Sequence, residues 1–158
     1  MTKVLLSVHV LAAILAVGSI TVAASMFPRY ALQASDGQGS DARAASIAAL
    51  LHKICRGYAV AGLAVPVFGI ATGAALGVLT DAWLIASLAL TVIAAAILAM
   101  AILPGQQRLL ALAQGSPRTQ DGPRPAATRL TMLTGIFNVL WAIVVILMIV
   151  RPGSTTGA

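Results

Sequence analysis

Hydrophobic residues in this chain fall into four long runs, residues 4–26, 58–79, 82–103 and 130–150, and none of the four contains a charged side chain. The hydrocarbon core of a bilayer is about 30 Å thick, and a helix needs about 20 apolar residues to cross it. Each run meets that length. Backbone polar groups in lipid must be satisfied within the segment, so each run is predicted to be a helix, and the period-two alternation of a membrane barrel is absent. The pattern predicts an all-α polytopic membrane protein: one membrane domain, folded as a four-transmembrane-helix antiparallel bundle.

The segments between the runs differ in kind. Only Thr80-Asp81 joins the second and third runs, which forces a tight helical hairpin. The first connection, residues 27–57, holds the polar stretch Ser35-Asp36-Gly37-Gln38-Gly39-Ser40 and then a helical pattern from Asp41. Ala44, Ile47, Ala48, Leu51 and Ile54 recur there at helical spacing, and Ser40 or Asp41 suits an N-cap. That helix either lies along the interface or extends the second span. The third connection, residues 104–129, contains four prolines and three glycines and reads as a loop in its middle. The tail, residues 152–158, reads as frayed.

Composition excludes the main alternatives. Of 158 residues, 59% are hydrophobic and 9% charged, with a mean hydropathy of +0.98, whereas a soluble domain carries about 25% charged residues. A disordered chain would be polar and rich in charge. Lys3, the first run and the small residues Ala23-Ala24-Ser25 have the layout of a secretory leader, but the run is long enough to span, which points to a retained helix. Aromatic residues make up 4%, so close helix contact through alanine and glycine must replace large rings. Cys55 is the single cysteine, which leaves no intrachain disulfide and no cysteine cluster for zinc.

Ten Lys and Arg against four Asp give a net charge of +6. The basic residues sit at the ends of apolar runs and not in a dense stripe with aromatics, which argues against nucleic acid as a partner. Arg29, Arg43, Lys53 and Arg56 fall in the first connection, and Arg108, Arg118, Arg124 and Arg129 in the third; only Lys3 and Arg151 lie on the other side. Basic residues concentrate in short cytoplasmic loops, so both connections are predicted to be cytoplasmic and both termini outside. The Arg, Ala and Gly bias suggests a bacterial source, and hence a multi-pass protein of the plasma membrane.

A few polar residues inside the runs are costly and therefore informative. His9 is the one histidine inside the four runs and lies about 8 Å from the outer end of the first helix. It shares a helix face with the small residues Ala12, Ala16, Ser19 and Ala23, a seam that should face other helices. Ser87, Thr72 and Thr91 lie near its level, which allows a small polar pocket with Asp81 and Trp83 at its mouth. His9 is then either a structural histidine bonded across helices or a ligand, metal or proton site. His52 lies near the opposite face, so the two histidines cannot share one haem iron; Met148 is the methionine at a suitable depth for a His–Met pair, although methionine in a span normally serves packing.

Asn138, on a face with Thr131, Thr134, Gly135 and Ala142, reads as an amide that ties helices together or as a substrate contact. Gly69, Gly73 and Gly77 form two overlapping GxxxG steps in the second run, with Gly62 and Pro66 above them. The glycines suit close helix packing within the chain or self-association, and Pro66 frees a carbonyl and is expected to bend the helix. Arg29, Lys53, Arg56, Arg108 and Arg129, with Tyr30 and Tyr58 beside them, form a boundary set suited to lipid headgroups or an acidic partner. No Ser–His–Asp or Cys–His set, phosphate loop or paired carboxylate is evident, so no catalytic residue is assigned, no cofactor is expected and an enzyme is disfavoured.

His9-Val10-Leu11-Ala12-Ala13, Phe27-Pro28-Arg29-Tyr30, Leu51-His52-Lys53, Arg56-Gly57-Tyr58, Gly62-Leu63-Ala64-Val65-Pro66 and Leu147-Met148-Ile149-Val150-Arg151-Pro152-Gly153 together resemble an uncharacterised family of small bacterial four-helix integral membrane proteins. The opening motif is also loosely similar to helices of copper-resistance D-type membrane proteins, but their additional spans and a Met/His array are lacking. The resemblance implies fold and membrane location and no activity. The leading expectation is a non-enzymatic membrane component that binds a partner protein or lipid, as an accessory subunit of a larger envelope or respiratory assembly. The expected partners are membrane lipids and a larger membrane protein complex or a second copy in a homo-oligomer. The alternatives are a small transporter or ligand carrier built around His9, and a metal- or haem-binding redox protein.

Overall fold

The structure, a computed structural model, describes residues 1–35, 41–113 and 122–153. The polar stretch after Ser35, the Ser40 and Asp41 cap, the middle of the third connection and the last part of the tail lie outside that description. The elements are α1 (Thr2–Ser35), α2 (Asp41–Ala61), α3 (Ala64–Leu76), α4 (Ala82–Ile97), a π-helical turn (Leu98–Ile102), α5 (Leu103–Ala113) and α6 (Pro123–Val150). They form four rods: α1, α2–α3, α4–α5 and α6. All four are long and apolar enough to cross a membrane, and no strand occurs among the described residues.

The helices outrun the apolar runs. α1 continues through Pro28 to Ser35, and α2 extends the second rod and does not lie apart along the interface. Much of residues 104–129, read as a connection, is also helical: α5 carries Pro104 in its first turn, and α6 begins at Pro123. Pro123 is tolerated because first-turn N–H groups of α6 have no helical partner. Pro104 follows the π turn, which widens the helix where a proline ring would otherwise press on the preceding carbonyl.

Pro66 has the opposite effect and interrupts its rod. It has no N–H to offer the Gly62 carbonyl, which accepts instead from Val65 N at 3.0 Å. The rod breaks at Gly62-Leu63, between α2 and α3.

Consecutive rods run antiparallel. α1 packs against α2, α3, α5 and α6, and α6 packs against α1, α4 and α5; α3 and α4 scarcely meet although a tight turn joins them. The core is correspondingly uneven. Phe27, Ile102, Leu109, Leu130 and Phe137 are fully buried, all in the half of the bundle nearest the two long connections. On the outside, Val60, Val67, Val92, Met100 and Ile149 are more than 60% exposed. Such a belt of large apolar side chains suits hydrocarbon as the solvent.

Candidate functional site

The gap between α3 and α4 opens into a cleft of about 600 Å³ in the half of the bundle that holds both termini. Residues of α1, α3, α4 and α6 line it. Its surface is almost wholly apolar, and His9, Thr72, Thr91, Trp83, Trp141 and Arg151 bring the polar atoms. The volume falls within the range of small-molecule sites, roughly 300–1,000 Å³.

His9 is placed by the sequence of the facing helix. Gly69 has no side chain, and the imidazole occupies that space: a Cβ there would meet His9 Cε1 at 3.0 Å. One turn away, His9 Nδ1 lies 2.9 Å from the Val65 carbonyl oxygen. A carbonyl only accepts, so Nδ1 carries the proton and donates it. In the neutral ring Nε2 is then a bare acceptor, on a side chain that lines the cleft. This is the arrangement by which a second ring nitrogen is fixed for binding.

Thr72 Oγ1 donates to Phe68 O, Ser87 Oγ to Trp83 O, and Thr91 Oγ1 to Ser87 O, at 2.7, 2.8 and 2.7 Å. These hydroxyls satisfy their own helices and do not tie helices together. Of the pocket residues expected from sequence, His9, Thr72 and Thr91 line the cleft. Ser87 is fully buried outside it. Asn138 also lies elsewhere: its Oδ1 accepts from Thr21 Oγ1 at 3.1 Å, joining α6 to α1.

The expected packing residues divide similarly. Gly69 and Gly73 are buried, and a Cβ on Gly73 would meet Leu84 Cδ2 at 2.8 Å. Ala16 is buried, with Ala12 and Ser19 half-buried beside it. Gly77 does not belong to that seam. It is exposed, with φ of 71°, and ends α3: its N–H donates to Ala74 O, and Val78 N to Gly73 O. A left-handed residue at a helix end is a glycine task, and four-residue spacing cannot distinguish it from a packing position.

At the mouth, Trp83 Nε1 donates to Asp81 Oδ2 at 3.0 Å. The Arg151 guanidinium stands 5.6 Å from the centre of the Trp83 ring. Arg151 ends α6 in a left-handed conformation, φ 46°, and its Nε reaches Met148 O at 3.4 Å. For a non-glycine residue that conformation costs about 1–2 kcal/mol, so the guanidinium is held over the cleft against a backbone cost. Two buried polar atoms among the described residues have no partner, Thr134 Oγ1 and Trp141 Nε1, and Trp141 lines the cleft.

Sequence reasoning missed a second polar cluster. His52 Nδ1 lies 2.8 Å from Gln106 Oε1 and donates to it, and Gln106 Nε2 donates to Cys55 Sγ at 3.5 Å. Gln106 is fully buried between α2 and α5. His52 and Cys55 share a face of α2, but only folding reveals that α5 delivers an amide to it. Along the rod His52 is about 20 Å from Val65, the partner of His9, so the two histidines serve different sites. No three His, Cys, Asp or Glu side chains among the described residues gather as a metal site. All five boundary cations are exposed, and Arg108 and Arg129 among them line a common groove.

The family described as "Predicted integral membrane protein (DUF2269)" matches residues 3–152. The chain belongs to this family. Its description and the four apolar rods agree on a multi-pass integral membrane protein. No curated protein and no solved structure gives a significant match.

Proposed function

We propose that the chain is a non-enzymatic membrane protein of the bacterial plasma membrane that binds an apolar ligand in the α3/α4 cleft, as a carrier. The observation that carries this reading is His9: its Nδ1–H is committed to Val65, and its ring lines an apolar cavity. The fitting molecule is largely hydrocarbon, with a polar end that donates to Nε2; an acceptor on the same end would suit the unpartnered Trp141 N–H. Orientation follows the basic residues, with the long connections cytoplasmic and both termini outside.

An accessory subunit of a larger assembly is the second reading. It is favoured by the exposed Arg29, Arg43, Lys53 and Arg56 where α1 and α2 continue beyond the apolar runs, a surface suited to an acidic partner. It gains nothing from the glycine seam, because His9 and Leu84 already occupy Gly69 and Gly73.

The test is mass spectrometry of an organic extract from the chain purified gently from its own membranes, beside a native mass of the same sample. Enrichment of one apolar compound that is lost in His9→Ala, with expression unchanged, supports the carrier. An extract identical for both chains would sink it, and a second protein in fixed stoichiometry would favour the accessory role. A Soret band would identify the ligand of His9 as a haem, with Met148 of α6 also lining the cleft.

A further inference from the structure

A groove of about 410 Å³ lies between α5 and α6, far from the His9 cleft. Two features of the fold create it. The π turn and Pro104 set the course of α5, and Gly105 lets α6 come so near that a Cβ there would meet Leu130 Cδ1 at 3.0 Å. Arg108 from α5 and Arg129 from α6 line the groove together. Met100, Leu112 and Leu133 line the same groove, so its surface is about half polar and half apolar.

No Asp is among the lining residues described, and neither guanidinium has an acidic partner there. Two like charges over a shared groove repel unless an anion lies between them. Guanidinium matches phosphate through paired N–H donors. The groove also sits where the apolar runs of the third and fourth rods end, the depth at which lipid headgroups meet acyl chains.

We propose that this groove binds one anionic phospholipid, its phosphodiester bridging Arg108 and Arg129 and an acyl chain lying along Met100 and Leu133. Charge complementarity and the joint polar and apolar lining select such an amphipathic anion over a free anion, which would leave the apolar wall unused. The site is independent of the ligand bound at His9.

The experiment is native mass spectrometry of the full chain released from nanodiscs made of equimolar phosphatidylglycerol and phosphatidylcholine. One phosphatidylglycerol should be retained in preference to phosphatidylcholine. Arg108→Gln and Arg129→Gln should each lower that preference about tenfold. Arg56→Gln, a boundary cation outside the groove, should lower it by about fivefold or less, the effect of one surface charge. Equal losses for all three variants would overturn the site in favour of diffuse attraction. Displacement of the lipid by inorganic phosphate at equal concentration would overturn the role of the apolar wall. Each variant's melting temperature in detergent is measured alongside, and Arg108→Lys, which keeps the charge but loses the paired donors, should restore part of the preference in a folded chain.

Discussion

The two halves of the bundle solve the same problem differently. Near the long connections the rods close on Phe27, Ile102, Leu109, Leu130 and Phe137, and one polar set, His52–Gln106–Cys55, is joined across helices, while Thr134 Oγ1 stays unpartnered. Near the termini the α3/α4 hairpin splays, hydroxyls bond back to their own helices, and His9 keeps one nitrogen without a partner. Lipid outside is as apolar as leucine, so burial alone gives helices little reason to associate, and tight packing with matched polar groups must supply it.

That contrast is most easily broken in the packed half. Phe137→Ala removes a fully buried ring that meets Trp141 edge-on at 6.2 Å between centroids. Such a truncation costs about 3–5 kcal/mol. Val145→Ala, on an exposed residue lining the cleft, should cost less than about 1 kcal/mol. Thermal unfolding in detergent, followed by circular dichroism, checks the pair. Equal losses would mean that the cleft half is as tightly supported as the core.

The next effect lies in the polar cluster. Gln106→Leu removes the acceptor of the half-buried His52 N–H. A fully buried unpaired donor costs about 1–3 kcal/mol, so the loss should fall at the lower end of that range. Thr72→Val removes only a bond within α3 and should be nearly neutral in the same melt. A neutral Gln106→Leu would mean that His52 turns to water or headgroups without penalty.

This difference also marks where sequence reading succeeds. Four uncharged runs and a short link between the second and third suffice for four antiparallel spanning helices, because hydrocarbon allows no other backbone. The link is the five residues 77–81 and not Thr80-Asp81 alone, since Gly77 ends α3 early. Pro66 likewise announces its break, since a missing N–H acts locally. Helix ends are less legible: α1 and α5 run past the apolar residues because water also permits a helix, and hydropathy reports solvent and not backbone. Gln106 was invisible for another reason. An amide pair, Gln106-Gln107, after Pro104-Gly105 looks like a loop until the fold buries Gln106 beside Cys55. Ser87 and Asn138 shared a depth or a face with candidate partners, and depth along one helix does not say which neighbour a side chain meets.

A smaller perturbation bears on the cleft alone. Gly69→Ala places a Cβ 3.0 Å from His9 Cε1, and the ring must shift away from Val65. The unfolding temperature should change little, by the equivalent of about 1 kcal/mol or less, since the imidazole can move into the cavity and alanine favours the helix. Retention of the apolar ligand should fall as it does for His9→Ala. Unchanged retention would show that the fixed direction of Nε2 is irrelevant to binding.

The smallest expected effect concerns the seam between the halves. Thr21 donates to Asn138 at 3.1 Å, and it lies on α1 between the cleft residues and the buried Phe27. Hydrogen bonds between helices in membranes average about 0.6 kcal/mol in double-mutant cycles, because the separated helices find other partners. Thr21→Val, Asn138→Leu and the double variant should give a coupling of that size in detergent unfolding. If the α1–α6 contact fixed the width of the cleft, the same cycle would show coupling in ligand retention as well. A coupling present in stability and absent in retention would instead assign the cleft's width to the Pro66 break, the other place where the splayed hairpin can hinge.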